Sequence, residues 1–124
     1  MSFVDTFDAL KRQSKVDASV GIGIAKLLDG EGVNYYATSL PPGAKISPHY
    51  HQSGHETYLI LQGRGLIHTR SLDDKQMQSR RVQRGSIFDI PPNTVHQLEN
   101  DSNDVLILVF TCKPSHLGED RVLA

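Results

Sequence analysis

Apolar positions along the chain fall into two regimes. Near the start, Val4, Phe7 and Leu10 recur at helical spacing after Ser2, a residue suited to cap a helix, and predict a short helical segment. From residue 19 onward the spacing tightens into short apolar runs cut by turn residues. These runs predict strands over 20–28, 33–39, 46–51, 56–62, 66–70, 78–83, 86–90, 95–98 and 105–112. Asp29-Gly30, Leu40-Pro41-Pro42-Gly43, Leu72-Asp73-Asp74-Lys75 and Pro91-Pro92-Asn93 supply turns between them. Strands about 8–12 residues apart, with no helix-length connections, predict an all-β antiparallel sandwich or barrel rather than a parallel sheet. One run breaks the alternation. Residues 105–110 are apolar at every position, whereas a strand on the wall of a small barrel carries polar residues outward. Its outer face must be covered by the N-terminal segment or by a second subunit, and the expectation is a homodimer.

Length and charge narrow the classes. A chain of 124 residues is expected to form one domain over 1–124. Thirteen basic and 14 acidic residues give a net charge of −1, which makes no field for nucleic acid or an anionic membrane. The densest basic group, Arg80, Arg81 and Arg84, lies near Asp73 and Asp74 and reads as a solvated strand edge. The apolar run at 105–110 falls far short of the ~20 residues that a membrane span requires. Residues 1–14 carry no apolar stretch of a secretory signal, and the lone Cys112 cannot form an intrachain disulfide. A cytoplasmic location follows as the expectation, and the acceptor pattern Asn100-Asp101-Ser102 reads as accidental.

The chemistry concentrates in the histidines, five of which lie between 49 and 96. Side chains alternate along a strand, so His49 and His51 project from one face. Glu56 opens the next strand after the tight turn Gln52-Ser53-Gly54-His55 and can place its carboxylate opposite them. Imidazole and carboxylate together suit one divalent Fe, Zn, Mn, Ni or Co ion. His96, just past the Pro91-Pro92-Asn93 turn, is the fourth ligand this set calls for.

With those residues in view, the chain resembles the cupin superfamily. The first cupin motif is Gly, five residues, His-X-His, three or four residues, Glu, six residues, Gly; here stand Gly43, His49, His51, Glu56 and Gly63. The second is Gly, five residues, Pro-X-Gly, two residues, His, three residues, Asn; here stand Gly85, Pro91, His96 and Asn100. Asn93 replaces the turn glycine, and Asn is the residue that next best tolerates φ > 0. The motifs span 43–63 and 85–100. The resemblance implies a double-stranded β-helix (jelly-roll) barrel with His49, His51, Glu56 and His96 as metal ligands.

Other residues extend the pocket. Tyr58 and Ile60 share the face of Glu56 by period two and should line the cavity. His68 and Arg70 share parity on the strand after Gly63 and are candidates for its wall, as are Lys45 and Ser47 on the parity of His49. His55 is a candidate for proton transfer, set against a plain turn residue. Of the adjacent Tyr35 and Tyr36, one alone can face inward, and Cys112 reads as a small buried hydrophobe. Such a site would take a small-molecule ligand. The leading expectation is a metal-dependent enzyme on a small oxygen-rich metabolite, of dioxygenase or sugar/keto-acid isomerase type, with Glu56 doubling as a base. The alternatives are a non-catalytic metal-containing binding or sensor protein, and a structural dimer stapled by its metal.

Overall fold

The computed structural model describes residues 1–13, 15–17 and 22–124. In chain order the elements are helix α1 (Thr6–Gln13) and strands β1 (Lys15–Asp17), β2 (Ile22–Asp29), β3 (Asn34–Leu40), β4 (His49–Tyr50), β5 (Glu56–Gln62) and β6 (Arg64–Ser71). Strands β7 (Gln78–Gln83), β8 (Ile87–Ile90), β9 (Thr94–Glu99) and β10 (Leu106–Cys112) follow, then a 3-10 turn at Pro114–Leu117 and strand β11 (Val122–Leu123). They form two antiparallel sheets, in the orders β1-β2-β3-β10-β5-β8 and β11-β4-β9-β6-β7. This is the flattened barrel of a double-stranded β-helix, and no ladder joins the two sheets among the described residues. The expected strand over 20–28 begins outside the described residues.

Alternation decides what fills the space between the sheets. Tyr36, Leu40, Leu106, Leu108, Phe110, Tyr58 and Ile60 face in from the first sheet and meet Ile67, Val82 and Leu98 from the second. Tyr36 stacks on Phe110 at 5.3 Å between ring centroids, while its neighbour Tyr35 turns outward. Gly63 makes the β5–β6 turn at φ +83°, where a Cβ would stand 2.5 Å from the Val105 carbonyl oxygen. Among the described residues no helix is long and apolar enough to cross a membrane.

Two expectations need correction. The helix starts at Thr6, and its cap is Asp5 rather than Ser2: the Asp5 carboxylate accepts the Asp8 N–H at 2.9 Å. The strand over 46–51 shrinks to His49–Tyr50 plus a single bridge between Lys45 and Glu99. Pro48 has no N–H to give to a ladder, and the alternation breaks there. Ile46 therefore turns inward, and Lys45 reaches the Glu99 carboxylate at 3.7 Å, away from the pocket.

The two-sided strand behaves as its pattern requires. Leu106, Leu108 and Phe110 are buried inward, and Ile107 and Val109 are half-buried on the outer face. An outward row runs across the sheet through directly paired residues Ala25, Ala37, Val109, Leu59 and Ile87. Helix α1 packs on β2 and β3, where Ala9, Ala25 and Ala37 are buried and short side chains permit a close approach. It covers the alanine end of the row; Leu59 and Ile87 at the other end are 36% and 67% exposed.

The second motif closes on a buried amide. Asn100 donates Nδ2–H to the Leu40 and Asp104 carbonyls at 2.9 and 2.8 Å, and its Oδ1 accepts from the Ser102 N–H and hydroxyl at 3.0 and 2.7 Å. Asn100→Ala leaves the Leu40 carbonyl and the Ser102 N–H buried without their partner, and should cost about 2–4 kcal/mol of stability. Urea denaturation measures it, and a loss below about 1 kcal/mol would contradict the structural role given to this side chain.

Candidate metal centre

Both sheets contribute to one cluster. His49 lies in β4 directly opposite His96 in β9, His51 follows β4, and Glu56 opens β5 in the facing sheet. All four side chains are buried. Asn93, at φ +58°, donates its backbone N–H to the His51 carbonyl at 2.7 Å, so the motif turn also holds the chain at a candidate ligand. The ring centroids of His49 stand 5.1 Å from His51 and 4.3 Å from His96.

The hydrogen bonds of the rings settle which nitrogen faces inward. Each Nδ1 lies against a carbonyl oxygen, which can only accept: Ser47 for His49 at 2.8 Å, Asp120 for His51 at 2.5 Å and Thr94 for His96 at 3.0 Å. With Nδ1–H donated, a neutral ring presents a bare lone pair at Nε2. The three histidines each bring a ligand atom to one cluster, these atoms lying within 4.8 Å of one another. The Nε2 atoms of His51 and His96 are buried without a hydrogen-bond partner. They lie 3.1 and 3.3 Å from the Glu56 carboxylate oxygens, at angles that make no hydrogen bond. Electron pairs facing a carboxylate at that range repel unless a cation joins them. The donor set therefore fits a divalent ion, and the second Nδ1–H bonds are the outer support that metal-bound histidines use.

Glu56 is held from behind. Its Oε1 accepts the Tyr58 hydroxyl at 3.0 Å and its Oε2 accepts Nδ1–H of His116 at 3.0 Å. Burial alone would raise its pKa, but the hydrogen bond from His116, with His51 and His96 beside it, holds the carboxyl well below the usual range. Tyr58 moves the other way, pushed up first by burial and then by the Glu56 charge. His49 is driven down to about 3, chiefly by burial and then by His96. His116 feels burial as a lowering influence, which the bonds to Glu56 and to the Ser53 carbonyl outweigh, leaving it raised.

A cavity of about 20 Å³ opens beside the cluster, room for about one water. Besides His49, His51, Glu56 and Tyr58, its wall includes Ile22, Ile24, Ile46, Leu117, His116 and Arg121. Ile60 is buried on the inward face but forms core rather than cavity wall. His68 faces outward. Its Nδ1 meets the Ser79 hydroxyl at 2.6 Å and its Nε2 the Glu99 carboxylate at 2.8 Å, because Ile67 takes the inward position beside it. Arg70 shares that outer side and donates to the Ser71 and Asp74 carbonyls. His55 is exposed, with Nδ1 at 2.7 Å from the Asp89 carboxylate. Cys112 is buried, its thiol pKa raised first by burial and then by the Glu56 charge.

His116, Asp120 and Arg121 are functional neighbours that sequence reasoning passed over. The one available signal was that His116 is the sole histidine downstream of the second motif.

A sequence model described as Cupin matches residues 24–120. The chain belongs to the cupin family. This cupin is 36% identical over 81 residues to the uncharacterized protein MJ1618 of Methanocaldococcus jannaschii, covering 65% of this chain and 60% of that protein. It is 29% identical over 102 residues to germin-like protein 5-1 of Oryza sativa, covering 76% of this chain and 44% of that one. It thus spans less than two thirds of either curated relative. Among solved structures it is similar to a predicted oxalate decarboxylase from Thermotoga maritima. There the TM-score is 0.72 at 19% identity, with 98% of this chain and 99% of that chain covered. At that identity the likeness concerns the fold.

Two outcomes follow from the site. His49→Ala, His51→Ala and His96→Ala should each strip most of the metal, as read by elemental analysis of protein purified without an affinity tag; full occupancy in all three would exclude these ligands. Metal-free protein should also lose stability as pH falls from about 6.5 to about 3. Across that window an unfolded chain takes up a proton that folded His49 refuses, and the lowered carboxyl of Glu56 works in the same direction. The raised His116 has the opposite sign: its contribution is complete below the unfolded pKa and fades as pH rises through the folded one. Urea midpoints across the acid range should fall in the parent protein and fall less steeply in His49→Gln.

Proposed function

We propose that this cupin is a metal-dependent enzyme acting on a small oxygen-rich metabolite that carries a carboxylate. The observation that supports it most is the pair of buried, partnerless Nε2 atoms of His51 and His96 facing Glu56. An ion held there supplies Lewis-acid and, if it is iron, redox chemistry. Three neutral imidazoles and one carboxylate around a 2+ ion leave a local charge of +1. That positive balance and the open positions of such an ion favour an anionic, chelating ligand. Ile22, Ile24, Leu108, Phe110 and Leu117 give the rest of the wall an apolar character that excludes competing water.

Between the two reaction types, oxidation by O₂ fits better than isomerisation. Isomerisation needs a base that can take and return a proton. Glu56 is clamped by Tyr58 and His116 and held as a weak base. His116 is engaged at both nitrogens, and the other cavity histidines are ligands. Glu56 then serves by anchoring the ion and balancing its charge.

A binding module without turnover is the second reading, favoured by the engagement of both Glu56 oxygens and both His116 nitrogens, which leaves neither group free to move a proton. Homodimerisation is also proposed, across the outer row that ends at Leu59 and Ile87. Sedimentation of a stable monomer at micromolar concentration would remove it.

The enzymatic proposal is tested by metal analysis followed by oxygen uptake with a panel of small 2-oxo and 2-hydroxy acids. Bound iron and acid-dependent O₂ consumption, lost in His96→Ala, is the expected result. Acids that bind the metal-loaded protein with no turnover, with or without O₂, would establish the binding module instead. Protein that holds no divalent ion at all would overturn both.

A further inference from the structure

His116 belongs to neither cupin motif and arrives from the far end of the chain, on the 3-10 turn Pro114–Leu117. It is fully buried. Its Nδ1–H donates to Glu56 Oε2 at 3.0 Å, and its Nε2–H donates to the Ser53 carbonyl at 2.5 Å. Ser53 lies in the loop between His51 and Glu56, so the ring is braced against the same loop that spaces these two ligands. Its plane lies flat on that of His51, 3.9 Å between centroids and 1° between planes.

We propose that His116 is a positioning residue of the metal centre, orienting Glu56 through Oε2 and fixing the plane of His51. This rests on the reading of the cluster as a metal site, and adds a member that the family motifs do not contain. Free rotation of Glu56 would turn its oxygens away from the histidine lone pairs. The Tyr58 hydroxyl holds Oε1 and His116 holds Oε2, so the carboxylate plane is defined by two donors, one local and one distant in sequence. His116 is also close enough to His51 and Glu56 to be a ligand itself. Two facts speak against that role. Both of its nitrogens point at oxygen acceptors, and binding an ion through Nδ1 would abandon a buried carboxylate oxygen. Outer groups of this kind typically change metal affinity 10–100-fold when removed.

The test uses Co²⁺ titration of the metal-free full chain, reading both the dissociation constant and the visible and EPR spectra. Three variants separate the contacts: His116→Leu removes both donors, His116→Asn keeps an amide N–H near the Nδ1 position, and His116→Gln places one near Nε2. Leu and Gln should weaken Co²⁺ binding about 10–100-fold and shift the cobalt spectrum, while Asn should recover affinity to within a few-fold of the parent. A merely structural histidine would not produce that order of Asn over Gln, and thermal melts of the same proteins report folding separately. If His116→Leu fails to fold, the Asn and Gln pair still decides the matter. Parent-like affinity and spectrum in both Leu and Gln would overturn the positioning role. Loss of a nitrogen ligand from the spectrum in all three variants would make His116 a ligand and overturn it as well. A parent protein that binds no Co²⁺ would instead remove the metal reading itself, and this role with it.

Discussion

Four buried electron-pair donors converge between two sheets that share no ladder among the described residues. Three are imidazole nitrogens whose protons are spent on carbonyl oxygens, and the fourth is a carboxylate 3.1–3.3 Å from two of them. In a low-dielectric interior such an arrangement is costly unless a positive charge sits at its centre. Much of the local architecture follows from that constraint. His49 and His96 are paired across β4 and β9, so their spacing is set by ladder hydrogen bonds rather than by flexible side chains. Glu56 reaches across from the other sheet. A cation at this point would bind the two layers together where the backbone does not.

The end of the chain completes what the motifs begin. The Asp120 carbonyl accepts from His51, and its carboxylate accepts the Gln52 and Ser53 N–H groups at 2.7 and 3.0 Å. Strand β11 pairs with β4 at the candidate ligand His49, through Leu123. One segment therefore supports His49 and His51, orders the loop that leads from His51 to Glu56 and contributes Leu117, His116 and Arg121 to the cavity wall. Site and closure are one structure, made from residues more than sixty positions apart.

The legible parts of the sequence were those governed by short-range periodicity. Period two placed His49 and His51 on one face and Tyr58 with Glu56, and the segments between turn residues located β5 and β7 to the residue. Parity misled wherever the backbone stopped being a regular strand. Pro48 broke the ladder, so Lys45 could not share the face of His49, and Ile46 took the inward place. For His68 the parity was sound, but its direction was open until Ile67 was seen to be the residue that the core required. The cap moved from Ser2 to Asp5 because both residue types suit the position, and the Asp5 carboxylate is the one that meets a free N–H of the first turn, that of Asp8. His116 was illegible for a different reason. Its partners Glu56 and Ser53 are sixty or more residues away, and no local pattern in a Pro- and Gly-containing tail announces such a contact.

The size of the cavity bears on how such a site could serve chemistry. About 20 Å³ accommodates roughly one water beside the cluster, which suits a coordinated water. A larger ligand must take its room from the wall, and the wall is unequal. Ile46, Leu108 and Phe110 belong to the closely packed core and resist displacement. Leu117 and Arg121 lie on a turn and the approach to a two-residue strand, held by far fewer ladder bonds. The same tail, though, carries His116, whose bond to Glu56 and stacking on His51 would be disturbed by a large movement. A ligand that demanded such movement would loosen the ion it came to bind. Arg121 is tied to that turn through the His116 carbonyl, so on the proposed reading a chelating ligand is accommodated best with little movement of the tail.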